Sequence, residues 1–267
     1  MHRMRMRPSN ACSRGLVLAV TLLCGSEASE AQMSACRLGA AVGVADLKIN
    51  PDGDLASPDG RTWIAAGAIA VAGGDVDVER RRVDAVKRFT EVGPFVIYPV
   101  AGRPDRWGRL SGVIGRADQG DDLALALVRE GLASANPAEL PARCGAALAA
   151  AEALARRGAK GAWAQAQAFF NAAEPAAILQ QVGRFAVVEG RVVSTSERKA
   201  RAYLNFGENW SEDFTVTISK RSLNRIEASG MRWSSLKGLR VRVRGVVAES
   251  GGPVIEINAP EDIERIE

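Results

Sequence analysis

The sequence predicts a β-rich α+β protein of two barrel-like domains, and three observations lead to that class. The length of 267 residues suits one or two domains, and 47% hydrophobic with 25% charged residues is a globular composition. Alanine-rich segments with helical spacing fill the middle of the chain. Short segments that alternate polar and apolar residues fill the last third. We therefore expect a first domain at 32–170, a linker at 171–182 and a second domain at 183–267.

Residues 1–31 have the pattern of a secretory signal peptide. Four arginines precede the apolar run 15–23, and small residues follow it up to Ala31. The run is shorter than the about 20 residues of a membrane-spanning helix, although retention of the segment as an anchor is an open alternative. We expect an exported protein, periplasmic or secreted, with no stable membrane span after cleavage.

The first domain is predicted to alternate short strands with one amphipathic helix and to continue into alanine-rich helices. The predicted strands lie within 37–49, 61–74, 95–100 and 109–115. The predicted helices lie within 75–92, 121–133 and 139–173, the last interrupted at 158–161. Apolar residues at helical spacing form the expected inner face of the first of these helices: Val76, Val83, Val86 and Phe89.

The second domain shows five strand candidates with one short helix after the third. The strand candidates are 185–197, 199–207, 213–220, 236–250 and 252–260, and the helix candidate is 221–231. This chain order is that of an OB-fold, a small partly open barrel. OB-folds bind oligonucleotides and oligosaccharides, but the fold alone does not identify a ligand.

Composition excludes several classes of enzyme. The only histidine is His2, so without residues 1–31 the chain has no imidazole for histidine-dependent hydrolysis or zinc binding. The same removal lowers the net charge from +4 to +2, which gives only weak support for a nucleic-acid partner.

Two of the four cysteines, Cys36 and Cys144, lie beyond the predicted signal peptide. In an exported chain two such cysteines most often form a disulfide. No neighbouring group in the sequence favours a reactive thiolate at either position, so we predict a Cys36–Cys144 disulfide.

Three motifs in order carry a family resemblance: "DRWGRLSGVIG", "LALALVREGLA" and a cysteine-containing helix that ends in "GAKGAW". Over about residues 37–165 the chain resembles the thermonuclease, or staphylococcal-nuclease-like, family. That resemblance implies an OB barrel with additional helices. It also implies a phosphate-binding role for Arg109 and a calcium-ligand role for Asp54, within the turn Asp52-Gly53-Asp54.

Other functional positions of that family are apolar in this chain. The alignment puts Ile64 where the family has a second arginine, Ile69 where it has a second calcium-ligating aspartate, and Ala72 where it has the catalytic glutamate. Calcium-assisted hydrolysis needs several oxygen ligands and cationic groups at the phosphate. We therefore expect a catalytically degenerate domain with no cofactor, in which Arg109 orders its turn or pairs with a local carboxylate. An active Ca²⁺-dependent nuclease that uses Asp54 and Arg109 is the alternative.

The second domain resembles the OB-type module that commonly follows thermonuclease-like domains in exported bacterial proteins, through "YLNFG", "DFTVTI" and "GPVIEINAPEDIE". Alternation puts Arg240, Arg242 and Arg244 on one face of a strand, either as an anionic-ligand strip or as a solvated sheet face. Tyr203, with Phe206 and Trp210, forms either an aromatic ligand platform or core packing for at least two of the three. The predicted function is a binding or scaffolding module for nucleic acid or an envelope protein.

Overall fold

The computed structural model describes residues 38–51, 53–71, 76–100, 102–117, 122–165 and 168–266. The predicted signal peptide lies outside these residues, as do Cys36, Asp52 and Ala72. The described chain is β-rich, with curled sheets and a few helices, which confirms the coarse α+β, barrel-like class. None of the helices in this part of the chain is long and apolar enough to cross a bilayer.

A six-stranded sheet surrounds the core of the first domain. Its strands are β1 (Val42–Val44), β2 (Lys48–Ile49), β3 (Leu55–Ala56), β4 (Thr62–Ala65), β6 (Phe95–Pro99) and β7 (Arg109–Arg116), while β5 (Ala68–Ile69) and β8 (Ser134–Ala135) form a separate two-stranded ribbon. The order across the sheet is β1-β6-β7-β4-β3-β2, with β4 and β7 parallel. Because β1 and β2 follow each other in the chain, the two edges of the sheet come from one opening segment.

Three helices cover this sheet: α1 (Val76–Thr90), α2 (Leu123–Arg129) and α3 (Ala142–Arg157). The Asp122 side chain caps α2 by accepting a hydrogen bond from the backbone N–H of Leu125 at 2.8 Å. Helix α1 buries Val78 and Val86, two turns apart. The predicted inner face of α1 was wrong at Val76, which is 82% exposed at the first helical residue, where Val78 faces the core instead.

The second domain contains eight strands and two helices among the described residues. They are β9 (Phe170–Asn171), β10 (Phe185–Arg191), β11 (Ser194–Glu197), β12 (Arg201–Asn205), β13 (Thr215–Ser219), β14 (Arg240–Ser250), β15 (Gly252–Ile257), β16 (Ile263–Arg265), α4 (Pro175–Leu179) and α5 (Lys220–Ala228). The main order is β11-β12-β13-β15-β14-β10-β9, and β16 pairs with β14. The five predicted strand segments are all present, with the first divided into β10 and β11.

Both domains connect their strands in the same order. If β1 and β2 count as one strand and β10 and β11 as another, the third strand is β4 or β13 and the fifth is β7 or β15, and these two pair in parallel in each domain. A helix follows β13 directly and follows β4 after the short β5. The two pieces of the first strand lie on opposite sides of the other strands, β1 and β2 at the two ends of one path and β11 and β10 in the other. Short β9 then adds to the outer side of β10.

The segment predicted as a linker is folded onto the second domain. Strand β9 pairs in parallel with β10, and Ile178 of α4 is fully buried in the core of the second domain. The backbone N–H of Gly183 donates to the carbonyl oxygen of Val247 at 2.8 Å. This segment therefore holds the chain against the sheet of the second domain before β10 begins.

Candidate functional site

The two residues predicted for the nuclease-like site, Asp54 and Arg109, are neighbours in the structure. Arg109 opens β7, and its Nη1 lies 3.4 Å from Oδ1 of Asp54. The closer partner is Asp105, whose Oδ2 lies 2.9 Å from both Nε and Nη2 of Arg109. Asp105 also accepts the backbone N–H groups of Trp107 and Arg109, each at 2.9 Å. Arg109 thus pairs with a local carboxylate, one of the two roles expected for it, and that carboxylate also binds the backbone of the turn.

These charges lower the pKa of Asp105. Desolvation of this carboxyl raises its pKa, but hydrogen bonds from the Arg109 backbone and side chain and from the Trp107 backbone outweigh that effect. On the other side of Asp54, Arg82 of α1 is held by Glu79 through hydrogen bonds of 2.8 and 2.6 Å, and these bonds with the nearby charge of Asp54 raise the Arg82 pKa. Carboxylates and guanidinium groups therefore alternate across the site and neutralise one another.

A cavity of about 330 Å³ lies beside these charges, and apolar side chains form much of its wall. Ile64 and Ile69, at the positions where the family resemblance implies a second arginine and a second aspartate, line this same cavity with Asp54 and Arg109. Ala72, aligned with the catalytic glutamate, lies outside the described residues. Among the residues that the structure describes, no three His, Cys, Asp or Glu side chains form a metal-binding group.

A second carboxylate at this cavity, that of Glu139, was not predicted from the sequence. Its Oε2 accepts the backbone N–H of Gly67 at 2.9 Å, and its Oε1 accepts the hydroxyl of Ser111. Gly67 has a φ of 83° and no room for a Cβ against Leu140 and Leu148. Glu139 therefore joins the turn before β5 to β7 and has both oxygens engaged in structural bonds.

Trp107 lies on the surface of the same turn as Arg109. Its side chain is 63% exposed, and the guanidinium carbons of Arg106 and Arg109 lie 3.9 and 4.8 Å from a ring centroid. The ring is therefore held by two cation-π contacts on the surface of the turn.

The arginine face of β14 forms part of the contact between the two predicted domains. The predicted alternation is present, because Val241 and Val243 are buried in the barrel while Arg240, Arg242 and Arg244 lie on the opposite face. Arg244 is only 3% exposed, and its Nη1 donates to Oε2 of Glu152 at 2.7 Å and to the Ala135 carbonyl at 3.0 Å. Both acceptors belong to the first domain.

The contact extends into a chain of six side chains with alternating charge. Arg242 lies 2.6 Å from Glu189 and 2.8 Å from Glu264, and Glu264 lies 3.2 Å from Arg156 of α3. Arg156 in turn lies 2.5 Å from Glu152. The order of the chain is Glu189, Arg242, Glu264, Arg156, Glu152 and Arg244. The arginine face is thus neither an open strip of cations nor a fully solvated surface. Its most accessible member is Arg240, whose side chain is 42% exposed and lies 3.6 Å from Glu189.

Burial and pairing shift the pKa values of two of these six side chains, Arg156 and Glu264. Burial of the Arg156 guanidinium lowers its pKa, although Glu152 opposes that shift. Burial alone would raise the pKa of Glu264, but the adjacent Arg156 and Arg242 reverse the effect and leave that pKa below its usual value. The domain contact therefore depends on ionised groups of both signs.

A cleft of about 1140 Å³ lies beside the second domain. Its floor is the outer face of β12, β13, β14 and β15, where cross-strand pairing aligns Tyr203 with Thr217 and Thr217 with Glu256. Residues Asn136 and Ala138 of the first domain form part of one wall, so the cleft lies between the two domains.

Two threonines in the cleft floor have buried hydroxyl groups without partners. Thr215 and Thr217 are 6% and 7% exposed, and neither Oγ1 has a hydrogen-bond partner in the structure. A buried hydroxyl without a partner lowers the stability of the fold. Two of them on the same face of β13 therefore indicate a surface suited to a polar ligand. Alternation in the segment "FTVTI" indicates that Thr215 and Thr217 share a face, but only the strand register shows that Tyr203 shares it too.

Tyr203 lines this cleft together with Trp210, which is 72% exposed. Phe206, by contrast, is 8% exposed and packs in the core with its ring 5.0 Å from that of Phe214. Core packing therefore applies to one of the three aromatic residues rather than to at least two. Tyr203 and Trp210 instead line the cleft, where a ligand could contact their rings.

The predicted disulfide has one half in the described chain. Cys144 lies in the first turn of α3 and is 1% exposed, whereas Cys36 lies outside the described residues, so their pairing stays a prediction. No protein-family model and no curated protein matches this chain, so the resemblances rest on the motifs themselves.

Proposed function

We propose that this chain is an exported, two-barrel binding protein whose first domain is a thermonuclease-like domain without catalysis. The observation that carries the proposal is the cleft of about 1140 Å³ with the partnerless hydroxyls of Thr215 and Thr217 in its floor. A large concave site with a few convergent polar groups is the usual form of a ligand-binding site. Export rests on the pattern of residues 1–31.

The strand connections support an OB-fold-like barrel in each domain. With each divided first strand counted once, each domain has a helix between the third and fourth strands, a parallel pairing of the third and fifth, and a first strand whose two pieces lie on opposite sides of the others. The shared order also supports the thermonuclease resemblance of the first domain, which implies that its active site would lie at Asp54 and Arg109.

The charges at that site argue against hydrolysis. The transition state of phosphodiester hydrolysis is stabilised by cationic groups that are free to bind its oxygens. A bound metal ion needs several carboxylate or carbonyl ligands. Here Arg109 is already bound by Asp105, and both oxygens of Glu139 are used within the domain. Ile64 and Ile69 contribute apolar surface instead of charge.

The proposal is tested by incubating the protein with single-stranded DNA and RNA in Ca²⁺ and, separately, in EDTA. We expect no Ca²⁺-dependent cleavage, and the same trace level from Arg109→Ala, which separates a contaminating nuclease from activity of this chain. Cleavage that requires Ca²⁺ and disappears in Arg109→Ala would instead establish the alternative, a calcium-dependent nuclease that uses Asp54 and Arg109. Retention of a labelled oligonucleotide without cleavage would support nucleic-acid binding.

A further inference from the structure

The cleft beside the second barrel has two rows of side chains that cross its strands. One row runs Ser196, Tyr203, Thr217 and Glu256, and the next contains Asn205, Thr215 and Val254. The rows place hydroxyl, carboxamide and carboxylate groups next to an aromatic ring. Thr215 and Thr217 are separated by about 7 Å along β13, since a strand rises about 3.4 Å per residue.

The charges that line this cleft are largely paired. Arg201 and Glu256 lie 3.1 Å apart, and Arg244 is bound by Glu152. Burial raises the pKa of Asp262, which favours its neutral form. Arg198 is the one cation of the lining for which the described residues show no carboxylate partner.

That balance disfavours a polyanion and a peptide strand as occupants. Nucleic-acid affinity comes mainly from several cations that neutralise successive phosphates, and this lining offers about one such group. An extended peptide would bind through the backbone of a free strand edge. Each of the four floor strands is already paired on both sides, so among the strands of the two rows the free edge is that of β11, at the end of the strand path and not in the floor.

We infer that the cleft binds an uncharged or weakly anionic linear oligosaccharide. The inference rests on the proposed function, in which this cleft is the ligand site. Sugar hydroxyls both donate and accept hydrogen bonds, so they can satisfy Thr215 and Thr217 together. The Arg201–Glu256 pair adds donors and acceptors with no net charge, and the rings of Tyr203 and Trp210 suit the apolar face of a pyranose.

The experiment screens the chain on an array of neutral and acidic glycans, followed by calorimetric titration of any hexasaccharide that binds. A twelve-residue oligothymidylate serves as the competing ligand class. The variants are Thr217→Val and the double variant Thr215→Val/Thr217→Val, which keep the shape of the floor and remove its hydroxyls. Thr195→Val on β11 is the matched control, because Thr195 lies in the same barrel but does not line the cleft.

We expect saturable glycan binding that weakens about tenfold in Thr217→Val and further in the double variant, with unchanged affinity in Thr195→Val. Thermal unfolding of each variant shows that the loss is not a folding defect. Absence of any glycan that binds overturns the inference. Oligothymidylate binding that the same variants abolish overturns the glycan class but retains the cleft as the ligand site. Glycan binding that none of the variants changes overturns both the inference and the assignment of the cleft.

Discussion

Replacement of Arg244 by methionine should weaken the contact between the two domains more than any other single change on β14. Arg244 is 3% exposed and Glu152 is fully buried, so their 2.7 Å ion pair lies away from water. Removal of one partner from a buried pair costs about 3 to 5 kcal/mol, because the other charge stays buried. Glu152 keeps Arg156 at 2.5 Å and the Ala135 N–H at 2.9 Å. We therefore expect about 3 kcal/mol, the low end of that range.

The assay is equilibrium unfolding in urea, followed by circular dichroism and by tryptophan fluorescence. Wild type should unfold in one transition that both probes report, whereas Arg244→Met should separate the transitions of the two domains. Arg240→Met is the matched control on the same strand: its partner Glu189 is 3.6 Å away and its side chain is 42% exposed, so its loss should cost less than about 1 kcal/mol.

Two results would refute this reasoning. A loss below about 1 kcal/mol in Arg244→Met would mean that the buried pair contributes no more than a surface pair. The second test is the double variant Glu152→Leu/Arg244→Met. It removes both charges, so its loss should be smaller than the sum of the two single losses by more than about 1 kcal/mol. Additive losses would show that the two residues do not interact.

Thr217→Val should raise the free energy of unfolding by about 1 kcal/mol, because it removes a buried hydroxyl without a partner; a loss of stability in urea unfolding would show that this hydroxyl is bonded. Glu264 has a lowered pKa, so its stabilisation is complete above its ordinary value of 4.5 and is lost as the pH falls through its folded-state pKa. Stability measured from pH 5 down to about pH 3 should therefore fall less steeply in Glu264→Gln than in wild type, and equal slopes would contradict this. For the exported protein we expect a new N-terminus after Ala31 and no thiol that reacts after denaturation without reductant; a reactive Cys144 would disprove the disulfide.

Local sequence patterns predicted most of the elements and few of their contacts. Alternation predicted the strands of the second domain, and the predicted helix start at 121 and the interruption at 158–161 match the start of α2 and the end of α3. The inner face of α1 was misassigned at Val76 because helical spacing alone does not show where the first turn meets the core.

The candidate sites depended on contacts that are distant in the chain. Alternation put Arg244 on the correct face of β14, but its partner Glu152 is 92 residues earlier, in helix α3. In the same way, Thr217 joins Tyr203 only through the register of β12 with β13. By contrast, the pairing of Arg109 with Asp105 lies within one turn, and that contact was predictable.

The folded segment before β10 limits how the chain can be divided for study. A fragment that begins at Arg184 would lack β9 and the Ile178 side chain, and would open the core of the second barrel to water. It would also expose Arg244 without Glu152 and lose the Asn136 side of the cleft. Such a fragment would bind weakly and aggregate even if the intact protein binds tightly, so negative results from isolated barrels say nothing about the whole chain.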